Sequence, residues 1–288
     1  MTAAGGKGRG RVAAVARGDA GGPGAAAGRG EADGPGVAAG SQAAAIGRSL
    51  RTYYAPGHAA GLDAHLRRFL PAGGLGFDIG AHVGDRTACF RRLGARAVAV
   101  EPQPRLARLL RLLFRHDPGV AVVSALVGAA PGEAVLRLNS ANPTVATASD
   151  AFVAAAEGAP GWEGQRWDAA LRRPVTTLDA LIAAHGVPDF AKIDVEGFEA
   201  AVLAGLSRPL PALSFEFTTH QRDVAQACLE RLAALGPYRF NACLGEAPRF
   251  LLPAPCDAPA MAAWIAALPP RANSGDVYAS LDPARVAP

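Results

Sequence analysis

The residues best suited to chemistry fall in four short segments. In Asp78-Ile79-Gly80-Ala81-His82-Val83-Gly84-Asp85-Arg86-Thr87 an acidic residue precedes two glycines, where an apolar run gives way to a helical pattern. Gly80 and Gly84 remove Cβ atoms where backbone and ligand must approach closely. A dinucleotide fingerprint needs Gly-x-Gly-x-x-Gly, and His82 stands where its second glycine belongs. An acid at Asp78 suits a cationic amino-acid group better than a phosphate. Glu101-Pro102 follows, with Glu101 23 residues after Asp78, close to the spacing at which a strand-end carboxylate accepts both hydroxyl hydrogens of a ribose.

The third segment is Asp189-Phe190-Ala191-Lys192-Ile193-Asp194-Val195-Glu196-Gly197-Phe198-Glu199. On a strand, Lys192, Asp194 and Glu196 point to one face and Ile193 and Val195 to the other, so three charges are expected to converge at one strand end. Beyond residue 45 Lys192 is the chain's only lysine, among many arginines. A compact ammonium where the chain otherwise uses a planar fork marks a geometric requirement. In the fourth segment, Ser214-Phe215-Glu216-Phe217-Thr218-Thr219-His220, alternation puts Glu216 and Thr218 on one face and brings His220 near as a candidate general base. Asp194, Glu196 and Glu216 could supply hard oxygen ligands, but Lys192 would compete for them, so no metal is expected.

Short apolar runs alternating with helical patterns must position these groups, which predicts an α/β fold with a mostly parallel sheet. Strands are expected at 75–80, 97–101, 120–126, 190–195 and 213–217, with an edge strand at 133–138 and closing strands at 238–241, 249–252 and 276–279. Helices are expected at 62–69, 87–93, 104–115, 177–185, 199–206 and 223–235. The stretch 139–173 breaks the rhythm, and its Trp162 and Trp167 are candidates for an acceptor-pocket surface.

Residues 1–45 contain 15 Ala, 13 Gly and 2 Pro. They are expected to form a disordered tail, with the folded domain spanning 46–288. The chain's 29 basic and 25 acidic residues nearly cancel, and no basic run with interleaved aromatics argues for nucleic acid. Asp194-Val195-Glu196-Gly197 stands where exocyclic-amine methylases of DNA carry Asp/Asn-Pro-Pro-aromatic. Cys89, Cys228, Cys243 and Cys256 are too scattered for a zinc knuckle or disulfide scaffold and read as reduced packing residues of a cytoplasmic protein. The charge-free apolar stretch at about 120–128 is well short of the roughly 18 residues of a membrane span.

In order along the chain, Asp78-x-Gly-Ala-x-x-Gly, Val-Glu101-Pro102-x-Pro104, Ser124-Ala125-Leu126-Val127-Gly128, Val175-Thr176-Thr177-Leu178-Asp179, Lys192-Ile193-Asp194-Val195-Glu196-Gly197-x-Glu199 and Ser214-x-Glu216 resemble the FkbM-type S-adenosylmethionine-dependent methyltransferases. The resemblance implies a Rossmann-like class I methyltransferase sheet with helices on both faces. It also implies S-adenosyl-L-methionine as cofactor and a hydroxylated small-molecule acceptor, such as a natural product or sugar. By position, Asp78, Gly80, Ala81, His82 and Thr87 would line the methionine end, Glu101 the ribose and Ser124 the adenine edge. Asp194 would lie near the sulfonium methyl. His82 and Ser124 depart from the family, which often has Asn at both positions. Two other readings remain: a protein that binds the cofactor without turnover, and a nucleotide-dependent oxidoreductase.

Overall fold

The computed structural model describes residues 39–288, and side chains from residue 42 onward. The tail expected over 1–45 therefore lies outside the described residues as far as residue 38. Its last residues differ from expectation, because Ala39–Tyr53 forms helix α1. Alanine is the strongest helix former, and Ala45 is buried against the rest of the fold, so composition alone misjudged this stretch.

Helix α2 (His58–Leu66) leads into strand β1 (Leu75–Ile79), which is followed by α3 (Asp85–Arg92), β2 (Arg96–Val100), α4 (Pro104–Leu113) and β3 (Val120–Val123). Proline at the first turn of α4 is preset for a helix start. A smaller layer comes next: β4 (Leu126–Val127), β5 (Gly132–Leu138), α5 (Asp150–Ala156) and β6 (Ala169–Thr176) form a three-stranded sheet of order β4-β6-β5. The 139–173 stretch thus contains a helix and most of a strand. Then come α6 (Leu178–His185), β7 (Phe190–Ile193), α7 (Glu199–Ala204), β8 (Ala212–Thr218), α8 (Arg222–Leu235), β9 (Arg239–Leu244), α9 (Ala258–Ala267) and β10 (Ser274–Ser280). No strand forms at 249–252.

The main sheet has the order β3-β2-β1-β7-β8-β10-β9, parallel except for β10, which runs antiparallel between β8 and β9. It is the Rossmann-like methyltransferase sheet implied by the resemblance. Strand order reverses between β1 and β7, where ligands enter open α/β sheets.

Alternation along the strands builds two cores. On one face Phe77, Ile79, Ile193, Phe215 and Val277 pack with Leu178, Leu203, Leu229 and Ile265 from the covering helices. On the other, Phe90, Phe190 and Tyr278 pack with Leu62, Leu66 and Phe69. On β1, β7, β8 and β10 this second face is apolar only at the end away from the cleft, whereas on β2 and β3 it stays apolar through Ala99 and Val122. Toward the cleft the register sets Asp78 beside Lys192, Lys192 beside Ser214, and Glu216 beside Asp276, a polar row across four strands. None of the four cysteines is disulfide-bonded. Among the described residues no helix is long and apolar enough to cross a membrane.

Candidate active site

At the C-terminal ends of β1 and β7 lies a cleft with two lobes. One, of about 520 Å³, is mostly apolar, with Ala125, Leu126, Leu136 and Pro143 in its wall and Glu101 at its polar end. The other, of about 450 Å³, is charged, with Asp78, Asp85, Arg86, Lys192 and Glu246 around Tyr53 of α1. Gly80, His82, Thr144 and Asp194 line both lobes.

Gly80 cannot be replaced without moving backbone. It has φ of 83°, and a Cβ there would stand 1.8 Å from the carbonyl oxygen of Asp194. The turn continues through His82, which is left-handed at φ of 47° without being glycine. That conformation directs its N–H to Glu101 Oε2 at 2.8 Å, while the N–H of Gln103 donates to Oε1 at 2.8 Å. Each oxygen of the buried Glu101 thus has one backbone donor, leaving its other lone pairs for a ligand. Burial pushes the Glu101 carboxyl up to about 7, against the pull of those N–H groups. Asp78 accepts the Thr87 hydroxyl at 2.6 Å, and burial pushes it up to about 6. The His82 ring meets Tyr53 edge-on at 5.7 Å.

In the polar row, Lys192 Nζ donates to Asp276 Oδ1 at 2.6 Å and to Asp194 Oδ2 at 3.2 Å. Burial disfavours the ammonium, but Asp194 and Asp276 outweigh it and hold its pKa above the usual lysine value. Burial opposes ionisation of Asp194 as well, yet Lys192 keeps its pKa below the ordinary carboxylate range. Glu196 and Glu216 go the other way: burial and the charge of Asp194 push both well up. Glu199 at the start of α7 accepts the N–H groups of Val195 at 3.0 Å and Gly197 at 3.2 Å, so the last acid of the Lys-Ile-Asp-Val-Glu-Gly-x-Glu block ties the turn on which Asp194 and Glu196 sit.

A model of the methyltransferase FkbM domain matches residues 78–236. The chain belongs to the FkbM methyltransferase family. No curated protein matches it. Among solved structures it is similar to the O-methyltransferase from Bacillus cereus in complex with SAH, at 12% identity over 85% of this chain and 92% of that one, with a TM-score of 0.41. A TehB-like SAM-dependent methyltransferase from Corynebacterium glutamicum aligns at 12% identity over 84% and 98%, with a TM-score of 0.44. Fibrillarin from Aeropyrum pernix with natively bound S-adenosyl-L-methionine aligns at 13% identity over 76% and 73%, with a TM-score of 0.39.

Within this FkbM domain, Asp78, Gly80, Ala81, His82, Glu101, Lys192 and Asp194 line the cleft. Thr87 is fully buried and reaches it only through Asp78. Ser124 does not line it: its hydroxyl accepts Arg173 at 3.0 Å, and Ala125 and Leu126 form that wall instead. Strand β7 ends at Ile193, and Glu196 is left-handed at φ of 53°, so period-two alternation does not place it. Glu196 nevertheless lines the apolar lobe, and Glu216 approaches it and Asp194 from β8.

His220 lies outside the cleft, its ring against Phe152 at 5.2 Å and Trp162 at 4.8 Å, because the 139–173 layer packs over the turn that carries it. The tryptophans anchor that layer rather than line the cleft: Trp162 Nε1 donates to Asn273 Oδ1 at 2.9 Å and Trp167 Nε1 to the Val145 carbonyl at 2.8 Å. Pro143, Thr144, Ala146 and Ala148 of the same stretch do reach the cleft. Sequence reasoning missed Asp276. The signal was there: an acid in the apolar run of β10 needs a buried cation, and only one lysine was at hand.

Proposed function

We propose that this FkbM methyltransferase transfers the methyl group of S-adenosylmethionine to a hydroxyl oxygen of a small molecule such as a natural product or sugar. S-adenosylmethionine is the cofactor, and the cleft's two lobes fit its two ends. Glu101 keeps free lone pairs on both oxygens for the ribose hydroxyls, and the wall of Ala125, Leu126, Leu136 and Pro143 suits a flat adenine. Asp78, held by Thr87, faces the ammonium of the amino-acid end, and Arg86 is at hand for its carboxylate. When bound, the cofactor supplies an electrophilic methyl group.

The chain's own task is alignment and proton removal. Asp194 stands at the junction of the lobes, ionised because Lys192 adjoins it, and accepts the hydrogen of the acceptor hydroxyl. Lys192 is itself fixed by Asp276, so its ammonium serves Asp194 without swinging away. The observation that carries this reading is the position of Asp194, which lines the charged and apolar lobes together. Asp194→Asn is the test. Calorimetry should find cofactor affinity within about tenfold of wild type, while labelled-methyl transfer to a hydroxylated acceptor falls at least a hundredfold. Transfer at near wild-type rate in that variant would remove Asp194 from the chemistry.

A further inference from the structure

Around Asp194, carboxyl groups outnumber cations. Carboxylate oxygens of Asp194, Glu196 and Glu216 all lie within 4.8 Å of one another. Glu196 is only 7% exposed, and its Oε2 is buried with no hydrogen-bond donor. Glu216 Oε2, on a different strand, is buried without a donor as well. The nearest cation, Lys192, is the reason to expect no metal, since an ammonium could neutralise the cluster. The geometry removes that objection. Lys192 makes its shorter contact with Asp276, at 2.6 Å against 3.2 Å to Asp194, and Arg86 is engaged with Asp85 and Glu246. Buried carboxylate oxygens without donors are costly and call for a counter-charge.

We propose that Asp194, Glu196 and Glu216 bind a divalent cation of the hard, oxygen-seeking class, such as magnesium, manganese or calcium, at the junction of the two lobes. Oxygens on opposite sides of one such ion stand about 4.0–5.2 Å apart, twice a bond of about 2.0–2.6 Å. The 4.8 Å envelope of the cluster falls in that range, so the site closes with little movement. Three carboxylates leave coordination positions open for water or an acceptor oxygen. The role in catalysis rests on the reading above: an acceptor hydroxyl ligated there becomes more acidic, its proton leaves to Asp194 or solvent, and its oxygen lone pair forms the new bond to carbon as the carbon–sulfur bond breaks. Binding of the ion does not depend on that reading.

The test uses the full chain, stripped with a chelator and titrated with manganese, free ion being read by its electron paramagnetic resonance signal. One manganese per chain should bind with a dissociation constant below about 1 mM, and magnesium or calcium should displace it. Glu196→Gln and Glu216→Gln should each weaken binding at least about tenfold, the scale at which loss of groups supporting a metal site acts. Both keep side-chain shape and put a neutral amide where burial already disfavours a carboxylate, so their melting temperatures should not fall. Absence of a saturable site in the wild-type chain overturns the proposal without reference to any variant, and so does equal affinity in wild type and both variants. Manganese bound at this site without methyl transfer to any hydroxylated acceptor would instead count against the proposed reaction and leave the ion site standing.

Discussion

Two groups of buried acids flank the same cleft and differ in one respect. Glu101, past the end of β2, has a backbone N–H fixed on each oxygen. Glu196 and Glu216, past the end of β7 and on β8, each keep an oxygen with no donor. Burial raises the pKa of all three. The difference shows that burial alone does not assign a role. An acid already given donors awaits a neutral polar partner such as a diol, whereas acids without them keep a proton until a cation replaces it.

The comparison breaks most readily at Lys192. Lys192→Met leaves Asp276 and Asp194 side by side without their shared ammonium, and loss of one partner of a buried pair costs about 3–5 kcal/mol. Denaturant unfolding of the ligand-free protein reads this directly, and a loss under about 1 kcal/mol would make the row an ordinary solvated surface pair. Lys192→Arg sharpens the point: a planar fork cannot occupy the ammonium's place, so turnover should largely disappear while folding persists.

At the other end, the expected loss is in ligand affinity. Glu101→Ala should weaken cofactor binding by about 1.5–3 kcal/mol, roughly tenfold to a hundredfold, by calorimetry on a folded variant. Unchanged affinity would mean that the ribose is not held there.

A smaller effect separates the ends by pH. Glu101 and Glu199 at about 7 and Asp78 at about 6 hold protons in the native state that the unfolded chain has released. The contribution of these three groups to the stability of the ligand-free protein is therefore fully present below the ordinary carboxylate range and is lost as pH rises toward about 7. Cofactor affinity runs the opposite way, since ribose hydroxyls donate best to ionised Glu101. It should climb about tenfold between pH 6 and pH 8, as the ionised fraction of Glu101 goes from about one-tenth to nine-tenths. Glu101→Gln should flatten that climb, and a slope that survives it belongs to another group.

The smallest effect is expected from removing residues 1–38, whose Gly- and Ala-rich composition offers little apolar surface to bury. A chain starting at Ala39 should melt within a few degrees of the whole, and both ends of the cleft should bind as before.

Much of this was legible in the sequence. Strands β1, β2, β3, β5, β7 and β8 are short apolar runs that can be read, whereas β6 begins inside the irregular 139–173 stretch and is not among the expected strands; Asp78, Glu101, Lys192 and Asp194 stand at strand ends, where open sheets bind ligands. Helix α9 lies outside the expected helices although its start is marked in the sequence: Asp257 caps it, accepting the N–H of Ala260 at 3.0 Å, with proline in the first turn. Period two puts Glu196 on the strand face only if it runs three residues past Ile193, where β7 stops. His220 was misread for another reason: its sequence neighbourhood points at the cleft, but Phe152 and Trp162, more than fifty residues earlier, claim its ring. Contacts of that kind belong to tertiary packing, and no local pattern encodes them.

Asp276 reaches Lys192 from 84 residues further along, on the strand that is the last of the sheet in sequence and slots between two earlier ones. A polypeptide made from its N-terminus cannot close this shell until β10 has left the ribosome and paired. A product terminated before residue 274 would still carry Glu101 and the glycine turn, yet its lysine would lack its closest anion. Such a fragment would hold a stranded buried ammonium, which lowers the stability of its fold and raises the share of chains open to proteases.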